Sequence, residues 1–507
     1  MIGIVQSATL SGAAGSPVAV EVHISGGLPG FTVVGLPDAA VRESRDRVRA
    51  AVMSSGLSWP QARITVNLAP SSVRKAGAGL DLAIALAVLA AGRQLPPGSL
   101  DDLAVIGELG LDGTVRHVPG VLALADAARG DRLVVPACDL VEAATARPHD
   151  AVGFATLQEV VDALRGSGRW PRSDRGAHAP CDDSESLGST SALGDLRDVK
   201  GQRVARRALE VAAAGGHHLL LVGPPGSGKT MLARRLVTLL PPLTRAQALE
   251  VARIRSAAGQ ALGDAGLSWV PPLRAPHHGA SAVSLIGGGT TSMRPGEISL
   301  ATHGVLFLDE MGEFPASVLD ALRQPLEEGV VRVTRAHGAA TFPARFLLVG
   351  AMNPCPCGQG GAPGSCRCTP ASRAKYANRL SGPLIDRFDM VVHLLPTDAD
   401  ELFSDEVPES SHTVGARVAE VRRQAASREV TSNGAIPASW LDEVAPLSVD
   451  ASRLIERHVR AGLLSNRGVD RVRRVARTIA DLAGERLVEE HHVAETIALR
   501  SGREVLV

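Results

Sequence analysis

The sequence predicts an α/β protein built as three units, and three observations carry that prediction. Residues 219–230 run Leu-Leu-Leu-Val and then Gly223-x-x-x-x-Gly228-Lys229-Thr230, an apolar strand feeding a glycine-rich loop and a helix. Residues 305–310 are a second apolar run that ends in two carboxylates, Asp309 and Glu310. Residues 1–165 mix short alternating strand patterns with one long apolar segment, whereas residues 416–507 read as helix.

Bulk properties narrow the function classes. A chain of 507 residues has room for about three domains, each with its own core. Its 53 basic and 53 acidic side chains cancel, so no global field attracts nucleic acid or membrane, and any basic surface is local. The longest apolar stretch, Leu82 to Ala91, is too short to span a bilayer. The start, Met1-Ile2-Gly3-Ile4, carries no basic segment of the secretory kind, so a cytoplasmic location without membrane partners is expected. Four of the six cysteines fall within Cys355–Cys368, which in a reducing compartment points to metal rather than disulfides.

In the first unit, Val18–Ile24 and Arg63–Leu68 alternate like half-buried strands, and Leu80–Ala91 suits a buried helix, an α+β pattern. Residues 166–195, rich in Gly, Ser, Asp and Pro, read as a linker. Cys138 and Cys181 have no partner nearby in sequence and read as plain thiols.

The second unit, 196–400, opens with a helix from Val204 to Ala214 that leads into the phosphate loop. Gly223, Gly226 and Gly228, with Pro224, Pro225 and Ser227 between them, let backbone N–H groups turn inward around phosphate oxygens. The helix that opens at Lys229, Thr230 and Met231 adds its positive end and stops at Pro241-Pro242. Lys229 then reaches the β- and γ-phosphates and the Thr230 hydroxyl ligates Mg²⁺. Asp309 fits a residue that holds Mg²⁺ through water and Glu310 the base that polarises the attacking water; an ordinary helix cap is the competing role for such acids. Arg345–Asn353 is another buried strand with a polar tip, where Asn353 either orients water beside the γ-phosphate or merely ends the strand.

Residues 328–343 read as a hairpin. Its Arg332, Arg335 and His337 suit phosphate contacts, and a solvated face would use the same residues. Cys355-x-Cys357 and Cys366-x-Cys368 can place four thiolates round one Zn²⁺ across a glycine-rich loop, or remain reduced thiols. After an acidic connector at 400–413, Arg467, Arg471 and Arg474 recur at helical spacing beside Arg473 and Arg477, giving one helix a basic side.

Two resemblances add to this reading. Val66-Asn67-Leu68-Ala69-Pro70, Lys75–Ala83 and Gly107–Gly113 resemble the Lon-protease-type fold shared with RadA proteins. The family's serine position is Gly79 and its lysine position falls near Leu122, so no peptidase is expected. The whole chain resembles the YifB/ComM family of magnesium-chelatase-like AAA+ ATPases, relatives of the replicative MCM helicases. The match rests on Asp198–Gln202, the phosphate loop, Pro276-His277-His278, Pro295–Ala301, Asn353–Gly358, Ser381–Arg387 and Ala476–Leu482.

That resemblance implies an AAA+ P-loop core with a helical lid, and a hexameric ring with ATP between neighbours. It makes Lys229 and Thr230 the Walker A pair, Asp309 and Glu310 the Walker B pair, and Asn353 sensor 1. Arg387 matches the arginine finger, with Arg379 as second choice, unless Arg387 pairs within the chain with Asp386 or Asp389. Arg467, or else Arg471, takes the place of sensor 2. Residues 274–300 become an insert and 328–343 a channel hairpin, both gripping DNA by its backbone; His277 and His278 serve there or hold structure. The implied activity is an ATP-driven DNA motor, a branch-migration helicase on single-stranded or branched DNA in recombination or natural transformation. A chelatase-type ATPase that remodels a protein partner, or a scaffold that binds ATP without turnover, are the other classes.

Overall fold

The structure, a computed structural model, describes residues 2–171, 194–260, 262, 266–289, 293–335, 338–359, 366–396, 399–403 and 407–500. Most of the expected linker, together with Cys181 and His337, lies outside them, as does the side chain of Arg335.

The first unit is a seven-stranded mixed sheet. Its strands lie in the order Gly30–Val34, Arg63–Ala69, Ala14–Ser25, Ile2–Ser11, Leu103–Val105, Arg132–Pro136 and Ala151–Phe154. Helix Asp81–Ala91 is buried at every position but Ala90, which its apolar composition on all faces requires. Buried Asp81 is bound by Arg47 at 2.7 Å, and burial nevertheless pushes its carboxyl up to about 6. Where a Lon-type serine would stand, a Cβ on Gly79 would lie 2.8 Å from Val118, and Leu122 is a buried apolar side chain. No nucleophile and base meet there.

Among the described residues, the first unit meets the second at a helix pair and at a turn. Helix Val121–Ala127 lies against helix Arg245–Ala257, where Gly120 N–H donates to the Ser256 carbonyl at 2.9 Å and Leu122 packs on Ala252. The turn at Gly12-Ala13 meets the hairpin, with Thr341 O 3.3 Å from the Cβ position of Gly12.

The second unit is built on a five-stranded parallel sheet ordered Leu273–Arg274, Val305–Leu308, Leu347–Met352, Leu219–Val222, Met390–His393. Covered on both faces, the three middle strands are buried at every residue, which explains their unbroken apolar runs. The phosphate loop, Asp309-Glu310 and Asn353 all follow the C-terminal ends of these adjacent strands, the end where parallel sheets bind ligands.

The hairpin pairs Val330–Arg335 with Gly338–Pro343 and turns Val331, Val333, Ala340 and Phe342 into the core, leaving Arg332 exposed. Within the expected 274–300 insert, the helix is broken only between Ala282–Ile286 and Glu297–Leu300, by a short ribbon pairing Gly287–Gly288 with Arg294–Pro295. The residues before Ala282 carry the His277-His278 pair instead.

The C-terminal unit packs helices Ser411–Ser427, Val449–Arg460, Asn466–Ala483 and Glu490–Ala498. Helix Asn466–Ala483 starts at a Ser465 cap and ends at a left-handed Gly484. Its Val475 and Ile479 join the core formed with helix Arg203–Gly215. Its basic side is largely spent inside the chain: Arg473 binds Asp442, Arg474 the Ile436 carbonyl, and buried Arg477 binds Asp481. Among the described residues no helix is long and apolar enough to cross a membrane.

Candidate nucleotide site

Gly226 (φ 81°) and Gly228 (φ 85°) hold left-handed conformations that a side chain would strain, and nothing stands within 4 Å of their Cβ positions. The loop therefore faces open space with its backbone bare. Helix Lys229–Leu239 starts directly behind it, so unpaired N–H groups of the first turn point to the same spot. At its base, Ser227 is buried and its hydroxyl donates to the Pro224 carbonyl at 2.8 Å; Met231 is half exposed at the helix start.

Lys229 spans the loop. Its Nζ donates to the carbonyls of Gly223 at 2.7 Å and Pro224 at 2.8 Å, and to Asn353 Oδ1 at 3.2 Å. Burial draws its pKa below the ordinary lysine value, while Asp309 and Glu310 pull the other way. The Thr230 hydroxyl donates to Asp309 Oδ2 at 2.7 Å, and Asp309 Oδ1 accepts the Glu310 N–H at 2.9 Å. A hydroxyl and a carboxylate side by side are the hard oxygen ligands that Mg²⁺ takes, beside a loop shaped for phosphates. The residues present therefore fit ATP and Mg²⁺.

Glu310 sits at φ 50°, an uncommon setting for a non-glycine residue. Its Oε2 lies 3.0 Å from His278 Nδ1, and His278 stacks on His277 with ring centroids 4.0 Å apart. This contact to the base candidate was missed in the sequence, where Pro276-His277-His278 stood out but its partner lay on another strand's tip. Tyr376 was missed too: it stands against Gly312, two residues past Glu310, with its hydroxyl 2.4 Å from the Cβ position there.

The predicted finger, Arg387, is not brought to this loop. Strands Leu219–Val222 and Met390–His393 are parallel with Leu219 opposite Met390, so Arg387 lies at the end of the sheet away from Gly223. Arg387 forms an ion pair with Glu327, which replaces the expected alternatives Asp386 and Asp389. Asp389 instead accepts the His218 N–H at 2.9 Å and lies 3.9 Å from Arg471. Burial lowers the Arg387 pKa, and the neighbouring Arg471, Arg467 and Arg323 charges lower it further; the patch these guanidiniums form is interleaved with acids, Arg323 pairing with Asp320 at 2.8 Å as Arg387 does with Glu327. Arg379 is held by the Gly312 carbonyl at 2.6 Å and Glu313 at 2.9 Å. On the hairpin, Arg332 is paired with Glu328.

The four clustered cysteines do come together. Cys355 Sγ lies 3.3 Å from Cys357 Sγ and 3.6 Å from Cys366 Sγ, and with Cys368 all four sulfurs lie within 4.8 Å of one another. Tetrahedral zinc with ~2.3 Å bonds sets its sulfurs ~3.8 Å apart, so the spacing fits. Backbone N–H groups of Gln359 and Arg367 pull the Cys357 thiol down, while burial and the neighbouring sulfurs push the Cys355 thiol up.

Comparisons with known proteins agree along the chain. The family "Magnesium chelatase, subunit ChlI" matches residues 195–402, "Subunit ChlI of Mg-chelatase" residues 20–139, and "Magnesium chelatase, subunit ChlI C-terminal" residues 408–500. An uncharacterized protein of Mycobacterium tuberculosis (strain ATCC 25618 / H37Rv) is 44% identical over 510 residues, covering 98% of each chain. YifB of Escherichia coli (strain K12) is 41% identical over 521 residues, covering 100% of this chain and 98% of its own. The competence protein ComM of Haemophilus influenzae (strain ATCC 51907 / DSM 11121 / KW20 / Rd) is 41% identical over 505 residues, covering 99% and 97%. With the phosphate loop, the paired acids and the parallel sheet in place, the chain belongs to the YifB/ComM family of magnesium-chelatase-like AAA+ proteins.

Proposed function

We propose that this protein is an ATP-hydrolysing DNA motor of the cytoplasm, a homohexameric branch-migration helicase that acts on single-stranded or branched DNA. The observation that carries the reading is a division of labour across the sheet. Lys229, Thr230, Asp309 and Asn353 meet at one end of the strands, and the Arg387, Arg467, Arg471 and Arg323 patch lies at the other. A second copy laid end to end supplies the missing cation to the phosphates.

When bound, ATP supplies the phosphoryl group to be transferred and Mg²⁺ offsets its negative charge. Lys229 would exchange its loop carbonyls for phosphate oxygens, Asn353 would orient the water, and Glu310 would take the proton that the water gives up as its oxygen bonds the γ-phosphorus and the bond to the ADP oxygen breaks. Arg387 leaves Glu327 for the neighbour's nucleotide as finger, with Arg467 or Arg471 beside it as sensor 2. Arg332, Arg335 and His337 on the hairpin track DNA phosphates, and Cys355, Cys357, Cys366 and Cys368 hold Zn²⁺. The relative named a competence protein supports a role in recombination or natural transformation.

The test is ATP hydrolysis by purified protein with no DNA and with single-stranded, duplex and branched DNA, using Lys229→Ala as the inactive control. Stimulation by DNA together with strand exchange on a branched substrate is expected. The family models, which name magnesium chelatase subunits, support a second reading, an ATPase that remodels a protein partner. Turnover indifferent to every DNA would select it.

A further inference from the structure

We infer that the four-cysteine centre is a positioning element of the nucleotide site: zinc bound there holds the phosphate loop, Asn353 and the Glu310 turn in register. The inference rests on the nucleotide-site reading above, and concerns what keeps that site in shape.

Three contacts lead from the cysteines to the site. Cys355 is buried two residues after Asn353, the side chain that accepts from Lys229. The Cys355 turn closes when Gly358 N–H donates to the Cys355 carbonyl at 2.9 Å, and Gly358 takes φ +79°. A Cβ on Gly358 would stand 2.7 Å from Cδ of Pro225, so this turn lies directly on the phosphate loop with no room for a side chain. On the other side, Cys366 and Cys368 lead into Thr369, whose side chain caps helix Pro370–Ala377 by accepting the Ser372 N–H at 3.2 Å. Tyr376 on that helix closes over Gly312 behind Glu310.

Three sulfurs at 3.3–3.6 Å contacts, with the Cys368 sulfur within 4.8 Å of them, gain little from one another as thiols, because S–H groups are weak donors. A closed four-sulfur zinc site, by contrast, contributes folding energy directly. Zinc would thus tie two chain segments, one leaning on Pro225 and one on Gly312, into a single support. Without it, the Gly358 turn loses its tie to the Cys366–Cys368 segment.

The experiment uses the full-length chain purified under reducing conditions with zinc supplied. Elemental analysis is expected to give one zinc per chain, released to a chromogenic chelator by an organomercurial. Binding of a fluorescent ATP analogue is then followed in wild type, in Cys357→Ser/Cys366→Ser and in Gly358→Ala. The double variant should lose zinc and bind the analogue about tenfold more weakly, and Gly358→Ala should keep zinc yet also bind more weakly. Should the double variant fail to fold, wild type stripped by chelator and reloaded replaces it, with binding expected to fall and then return with zinc but not with Mg²⁺ alone. Absence of zinc, or zinc-free protein that binds nucleotide like wild type, overturns the inference. Wild type that carries zinc but binds no nucleotide overturns the ATPase reading instead.

Discussion

His278 Nδ1 lies 3.0 Å from Glu310 Oε2, so the carboxylate proposed to take a proton from water is already engaged by a histidine from the segment ahead of helix Ala282–Ile286. The side chain of Glu310 is more than half exposed and His278 is partly exposed, which limits the pair to ~1 kcal/mol or less. That is enough to hold the base aside while no substrate is present. His278→Ala is expected to raise ATP turnover without DNA by up to about fivefold, the equivalent of ~1 kcal/mol. Turnover that falls would show that His278 orients Glu310 rather than restraining it.

Lys229 and Glu310 should separate binding from chemistry. Lys229→Ala removes the cation that spans the loop and is expected to cut kcat by ~10²–10³ while weakening nucleotide binding. Glu310→Gln keeps the shape but not the base, so binding should persist while turnover drops by ~10²–10⁴. Equilibrium binding beside steady-state hydrolysis distinguishes the two, and a Glu310→Gln enzyme with normal turnover would assign the base elsewhere.

The arginine patch predicts complementation between subunits. Arg387→Ala is expected to lower turnover by roughly 10³ with nucleotide affinity little changed, since a finger acts on the transition state. Mixing Arg387→Ala with Lys229→Ala protein should recover activity, because some interfaces then pair an intact loop with an intact finger. Two variants that stay inactive when mixed would place Arg387 in a structural role with Glu327.

His217 gives the protein a pH-dependent stability term. It is fully buried, its Nε2 meets Thr478 Oγ1 at 2.7 Å, and its Nδ1 lies 3.9 Å from Asp389. Burial drops its pKa to about 4 against the upward pull of Asp389, with Arg422, His218 and Arg474 reinforcing burial. Unfolded, the ring titrates at ~6.5. Between those values the unfolded chain binds the extra proton, so stability is complete above ~6.5 and declines as pH falls towards 4, by on the order of 3 kcal/mol in all. Asp81, held at about 6, contributes the opposite slope over the same range in both proteins, so the measure is the difference: thermal melting from pH 7 to 4 should show wild type losing stability relative to His217→Gln, and equal slopes in the two proteins would exclude His217 as the cause.

Much of the site was legible because its parts are local. The phosphate loop needs left-handed glycines at fixed spacing, and Gly226 and Gly228 adopt them. A strand buried on both faces must be apolar throughout, so a carboxylate pair or an asparagine at its tip stands out, as at Asp309-Glu310 and Asn353. Gly79 and Leu122 were legible for the opposite reason, because neither side chain can serve as the nucleophile or base of a Lon-type dyad. The basic face of helix Asn466–Ala483 was legible as spacing but not as use: Arg473, Arg474 and Arg477 are consumed by Asp442, Ile436 O and Asp481, all distant in sequence.

By itself, then, the sequence determined the phosphate loop, the acid-tipped strand, the order of the three units and the four metal-spaced cysteines, since each follows from backbone conformation or side-chain chemistry within a few residues. Only the tertiary structure decided that His278 reaches Glu310, that Glu327 claims Arg387, and that Gly358 rests on Pro225. Those pairings depend on which strand tips the parallel sheet sets side by side, and contacts between segments so far apart along the chain leave no periodic trace in it.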